Sequence, residues 1–262
     1  MRIALLSDVH GNSIALDAVL ADIQAQGGVD VYWVLGDLAA LGYDPAGALE
    51  RLASLPNVCF ARGNTDRYVT TGEQPLPAAD EVRDDPRALQ ILVEVVGSFA
   101  WTKGAVTATG RLDWLGQLPL EQRLVLPDGT RLLGVHAAPG ADDGLGIYPT
   151  TSDAELRAVL QGCAADLVCV GHTHWPMERE LDGIRVVNLG SVSNPMAPDL
   201  RASYALLAAD ESGYALRPRR VDYDHAAVIA AIERSHQPGA AYLLRFQRGE
   251  AVPRWKVGAP GR

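Results

Sequence analysis

Two histidines one residue apart close the run LVCVGHTHWP, where His172 and His174 follow small apolar residues at the place a buried strand should end. The arrangement recurs along the chain. Asp8 and His10 follow IALLS, Asp37 follows VYWVLG, Asn64 follows VCFARG and His136 ends RLLGVH. Ligand sites in α/β sheets lie outside the carboxyl ends of strands, so these residues are placed to converge. Imidazole and carboxylate without a thiolate suit manganese, iron or zinc. A pair at i and i+2 on a chain leaving a strand can aim both side chains into one cleft. Seven such groups are more than one ion needs, so two are expected, with the Asp37 carboxylate able to give one oxygen to each. Singly the residues have plainer readings. His172 and His174 would be structural, Asp8 a helix cap and Asn64 a turn residue; it is the convergence that favours metal.

The elements that must position these groups are short runs rich in Val, Ile and Leu: IALLS, VYWVLG, VCFARG, RLLGVH, LVCVGH and IRVVNLG. Runs of this length ended by glycine or a polar residue read as buried strands. Helical segments lie between several of them. SIALDAVLADIQAQGG ends on glycines, DPAGALERLASLPN has a first-turn proline, and Ser152 with Glu155 has the spacing of a capping box. Strand and helix alternate, as in α/β architecture. The chain is expected to form one domain over 1–262. Residues 67–120, with a polar proline-rich stretch and then two helices, form a cap insertion in this reading. A hairpin turning at Glu211 to Gly213 and a helix should occupy 203–250, and the last residues a loose tail.

The motifs DVHGN, GDLAALGYDP, GNTD, GVHAAP and GHTH, in that order from residue 8 to 174, resemble those of the calcineurin-like metallophosphoesterases, particularly their small bacterial and archaeal phosphodiesterase branch. The resemblance implies a four-layer αββα sandwich with two central sheets flanked by helices. It also implies one metal held by Asp8, His10 and His174, a second by Asn64, His136 and His172, and Asp37 as bridge. Its chemistry would be direct attack on phosphorus by a hydroxide bridging two divalent ions, Mn²⁺ in the first instance, with Fe, Zn, Ni and Mg as alternatives. No serine or cysteine sits beside a base in these motifs, so no covalent intermediate is expected.

The sequence departs from the wider family where Thr65 follows the Gly-Asn pair, a position at which many members have histidine. A proton-donating imidazole is missing there, and Asp66 is the candidate catalytic acid beside Asp37. That departure favours diesters or activated esters. Thr65 and Asn12 are candidate substrate contacts, although Asn12 has an equal reading as the cap of the first helix. A nucleotide or sugar phosphomonoesterase is the second enzyme reading, and a non-catalytic metal-binding scaffold the reading from another class. A formal charge of −9 disfavours an extended nucleic-acid or anionic membrane surface, so the expected partner is a small-molecule or nucleotide-like phosphoester. No apolar run approaches a membrane span and the N-terminal run is too short for a signal peptide, which places the protein in the cytoplasm. The three cysteines lack metal spacing and are expected to be reduced. The acids Asp142 and Asp143 read as a solvated loop.

Overall fold

The computed structural model describes residues 1–73, 86–196 and 198–250. The first part of the chain runs β1 (Arg2–Leu6), α1 (Ser13–Ala25), β2 (Val31–Leu35), α2 (Pro45–Ala53), β3 (Val58–Ala61) and α3 (Asn64–Thr71). Two helices follow, α4 (Pro86–Ala108) and α5 (Leu112–Gly116), then β4 (Glu121–Val125), β5 (Arg131–Val135), α6 (Asp153–Leu160) and β6 (Leu167–Val170). The chain continues with β7 (Met177–Leu181), β8 (Ile184–Asn188), β9 (Ala202–Asp210), β10 (Gly213–Val221), α7 (His225–Ser235) and α8 (Ala240–Gln247).

The strands form two five-stranded mixed sheets. In the first, ordered β10-β9-β1-β2-β3, the three early strands are parallel, β9 is antiparallel to β1, and β10 is antiparallel to β9. In the second, ordered β4-β5-β6-β8-β7, the central three are parallel and both edge strands are antiparallel. Alternation along a strand sets the layers. From β1, Ile3 and Leu5 enter a cluster with Trp33, Leu35, Leu132 and Cys169, which come from both sheets. Ala4 and Leu6 enter a different cluster with Leu16, Val19 and Ile23 of α1. Beyond the second sheet, Leu133, Val168 and Val186 pack on Leu156 and Leu160 of α6. The result is the expected order of helix, sheet, sheet and helix.

Local chemistry starts the helices where the sequence indicated. The Asn12 side chain accepts from the Ala15 N–H at the head of α1, and Asp44 accepts from the Gly47 N–H with Pro45 in the first turn. Ser152 and Glu155 make their reciprocal capping box. Among the described residues no helix is long and apolar enough to cross a membrane. The cysteines are free, Cys163 and Cys169 buried and Cys59 half-buried.

The region 67–120, expected as a cap insertion, contributes in part to the core. Residues 74–85 of its proline-rich stretch lie outside the described residues. Of the rest, Val95, Phe99 and Val106 of α4 and Leu115 of α5 are buried in the same core cluster as α1. Both helices pack on α3, so the helix that starts at Asn64 is backed by core. The C-terminal region holds the expected hairpin and helix, and a second helix, α8, that the sequence reading lacked. The tail beyond Glu250 is again outside the described residues.

Candidate metal centre

All seven proposed ligands sit just past the carboxyl ends of parallel strands: Asp8 and His10 after β1, Asp37 after β2, Asn64 after β3 at the start of α3, His136 after β5, His172 and His174 after β6. Five of them have left-handed backbone: Asp8 (φ 58°), His10 (46°), Asp37 (55°), His172 (66°) and His174 (58°). Outside glycine that conformation costs about 1–2 kcal/mol per residue, and such strain gathers where a site over-determines it. The turns are also crowded. A Cβ on Gly63 would strike Asp37, and one on Gly171 would strike Ser7 and Asp8.

The hydrogen bonds of the four histidines define what the site can hold. Nδ1 of His10 lies 2.8 Å from the Ala40 carbonyl, Nδ1 of His174 2.7 Å from that of Asn194, and Nδ1 of His136 2.8 Å from that of Leu35. His172 is turned the other way, with Nε2 2.9 Å from the Gly144 carbonyl. Carbonyls only accept, so these nitrogens carry the protons and the opposite ring nitrogens of the neutral rings present lone pairs. Those lone pairs face other acceptors. His174 Nε2 stands 3.1 Å from His10 Nε2 and 3.1 Å from Asp8 Oδ1, an oxygen that is buried and has no hydrogen-bond partner. His136 Nε2 stands 3.1 Å from Asn64 Oδ1, 3.3 Å from His172 Nδ1 and 3.4 Å from Asp37 Oδ2, while His172 Nδ1 is also 3.1 Å from Asn64 Oδ1. Asp37 Oδ2 lies 3.7 Å from His10 Nε2, so it adjoins both groups.

Acceptors gathered this closely in a buried place repel unless a cation stands among them. The donor set of imidazole, carboxylate and amide oxygen fits a divalent metal, and the carbonyls behind the rings are the kind of partner that fixes a ligand's tautomer. Without metal the cation is a proton. Burial would lower His136, but the Asp37 carboxylate outweighs it and raises that ring to about 10. Burial likewise opposes His174, yet Asp8 raises it. Asp37 and Asp8 are held below the usual carboxylate range by His136 and His174, against the effect of burial. Burial lowers His10 and His172 and keeps them neutral.

The other expected residues fall in three places. Asp66, read from the sequence as a catalytic acid, is fully buried beneath the Asp37 turn. Its Oδ2 accepts from the N–H groups of Asp37 and Gly63 and its Oδ1 from that of Leu38, each at 2.9 Å. With its oxygens committed and no exposure, it holds the two ligand turns together and has no access to a leaving group. Thr65 donates its backbone N–H to Asp37 Oδ1, and its hydroxyl is buried without a partner. Asn12 caps α1 through Oδ1 and leaves Nδ2 buried without a partner. Asn188, another strand-end residue, donates to the Gly171 carbonyl and Thr173 hydroxyl and so braces the GHTH turn.

Other contributions escaped the sequence reading. Leu35, Ala40, Asn194 and Gly144 act through backbone carbonyls, for which no residue type is a signal. Phe246 of α8 lies with its ring centroid 6.0 Å from that of His174. Asp142, read as solvated, is 6% exposed and held by two arginines.

The family model for the calcineurin-like phosphoesterase superfamily domain matches residues 1–212. The uncharacterized protein MJ0912 of Methanocaldococcus jannaschii is 28% identical over 254 residues, covering 90% of this chain and 93% of that one. A metallophosphoesterase from Sphaerobacter thermophilus superposes with a TM-score of 0.72 at 27% identity, covering 95% of this chain and 99% of its own. The hypothetical protein PH1004 from Pyrococcus horikoshii gives 0.77 at 22% identity over the same shares, a likeness of fold. With that match spanning β1 to β9 and every strand-end turn just described, the chain belongs to the calcineurin-like phosphoesterase superfamily, a family of phosphoesterases that use divalent metals.

Proposed function

We propose that the chain is a dinuclear metal-dependent phosphodiesterase acting on a small-molecule or nucleotide-like phosphodiester in the cytoplasm. The observation that carries this reading is the pair of acceptor clusters meeting at Asp37 Oδ2. Asp8, His10 and His174 would hold one ion, Asn64, His136 and His172 the other, and Asp37 would serve both. Manganese is the first choice. Divalent ions so held supply Lewis acidity toward a phosphoryl oxygen and lower the pKa of water enough to furnish a nucleophile near neutral pH.

The chain's own residues do the rest. Asp37 is kept ionised by His136, and the carbonyls of Leu35, Ala40, Asn194 and Gly144 hold each imidazole in one tautomer. Asn12 Nδ2 and Thr65 Oγ1 are two of four buried side-chain polar atoms without a partner among the described residues. Unmade hydrogen bonds of that kind are costly, and substrate oxygens are the partners we assign to them. The preference for diesters follows from the missing acid. A monoester's loose transition state gathers charge on the leaving oxygen, and with Thr65 in place of an imidazole and Asp66 walled off, that charge has no proton donor from this loop.

The test is hydrolysis of bis(p-nitrophenyl) phosphate and p-nitrophenyl phosphate by metal-stripped protein before and after Mn²⁺, with Asp37→Ala beside it. Manganese-dependent turnover favouring the diester and falling to background in the variant is expected. Faster monoester turnover would make the chain a phosphomonoesterase. Bound metal without turnover on either ester would leave the scaffold reading.

A further inference from the structure

The loop from Gly140 to Ile147 follows His136 at the end of β5 and wraps back against the His172 ring. Its sequence, GADDGLGI, offers two acids that a solvated loop would expose. Both are instead bound to the other sheet's side of the molecule. Arg62, just before the Asn64 turn, donates to Asp142 Oδ2 at 2.7 Å, and Arg67 of α3 donates to the same oxygen at 3.1 Å. Arg67 also reaches Asp143 Oδ2 at 2.9 Å, and the Tyr68 hydroxyl donates to that oxygen too.

This latch meets one cluster at both ends. Asn64 begins α3, the helix that carries Arg67 and Tyr68, and its Oδ1 faces His136 and His172. On the loop itself, the Gly144 carbonyl takes the Nε2 proton of His172. Gly146 presses on the same ring: its φ is +66°, and a Cβ there would stand 2.8 Å from His172 Cδ2 and 2.7 Å from Thr173 Cγ2. The His172 ring therefore owes its orientation to one loop, whose place is fixed by Arg62, Arg67 and Tyr68. Its tie to the other cluster runs through the backbone, where the His172 N–H donates to Asp8 Oδ2 at 3.0 Å.

We infer that the Asp142–Asp143 loop, latched by Arg62, Arg67 and Tyr68, positions the His172 ring and thereby the second metal site. The inference rests on the dinuclear reading above. Arg67 and Tyr68 are positioning residues, acting through Asp143 and Gly144 on His172. Loss of partners of this kind typically lowers metal affinity 10–100-fold, and here the loss should fall on one ion of the two.

Metal-stripped wild type, Tyr68→Phe and Arg67→Met are titrated with Mn²⁺, following free ion by electron paramagnetic resonance and heat by calorimetry. Both substitutions keep the bulk of the side chain, and thermal melts of the metal-free proteins monitor the fold. The exposed pair Arg157–Asp182 supplies a remote control, Arg157→Met. Wild type and control should take two ions; the two latch variants should bind the first as wild type does and the second about 10–100-fold more weakly. Equal weakening of both ions, or of neither, overturns the inference while leaving the dinuclear reading in place. A wild type that takes a single ion overturns the dinuclear reading itself, and this inference with it.

Discussion

At the scale of single residues, the site is made by backbone as much as by side chains. Asp66 illustrates this, because its carboxylate is the common acceptor for N–H groups from both the Asp37 and Asn64 turns. In Asp66→Asn the amide oxygen can replace Oδ2, but its NH₂ then faces the Leu38 N–H, donor against donor, in a fully buried place. Leaving such a group unsatisfied costs about 1–3 kcal/mol. Urea unfolding of the metal-free protein should show that loss. Stability equal to wild type would mean that the two turns are held by other means. Of the residues in the site, those carrying ionisable or amide side chains at strand ends were legible in the sequence. Asp66 was legible as a residue of the motif but not as a brace, since only the fold reveals which way a carboxylate faces.

At the scale of elements, legibility followed burial. Beside the C-terminal hairpin, the six strands read from apolar runs are central or parallel ones with near-continuous apolar sequence, as in IALL of β1 and LVCV of β6. The two that escaped, β4 (EQRLV) and β7 (MEREL), are edge strands of the second sheet with half-exposed, polar faces. The helix α8 escaped because it is short and lies near the C-terminus, and because its contribution, Phe246 beside His174, depends on tertiary packing. Turns between elements are equally exacting. Gly171 links β6 to the GHTH turn, and a methyl group there meets Ser7 and the Asp8 carboxylate. Gly171→Ala should cost about 1–3 kcal/mol through overpacking and weaken the ion held by Asp8. Thermal melts with and without Mn²⁺ would show both effects, and a melt matching wild type in each condition would mean that the turn can shift freely.

At the scale of the whole molecule, the centre joins two sheets whose facing sides form an apolar layer. Asp8, Asp37 and Asn64 come from the first sheet and His136, His172 and His174 from the second. A cation between them is therefore part of the fold's stability, and the protons that substitute for it make that stability depend on pH. The direction follows from the raised rings. Between the ordinary histidine value of 6.5 and about 10, folded His136 holds a proton that the unfolded chain has released, and raised His174 acts in the same sense. Stability from these groups is fully present below 6.5 and is lost as pH rises through the folded values. Asp66, raised to about 7 by burial and then by Asp37, adds the same slope between its ordinary 3.8 and 7. His10 and His172, lowered by burial, act oppositely but only below 6.5, where the unfolded chain charges. Metal must displace the protons that His136 and His174 hold, so its binding strengthens as they leave. Metal-free protein should thus melt at a lower temperature at pH 8.5 than at pH 6.5, and the rise in Tm given by a fixed excess of Mn²⁺ should be larger at pH 8.5. A rise independent of pH would mean that the ions do not bind where these protons sit.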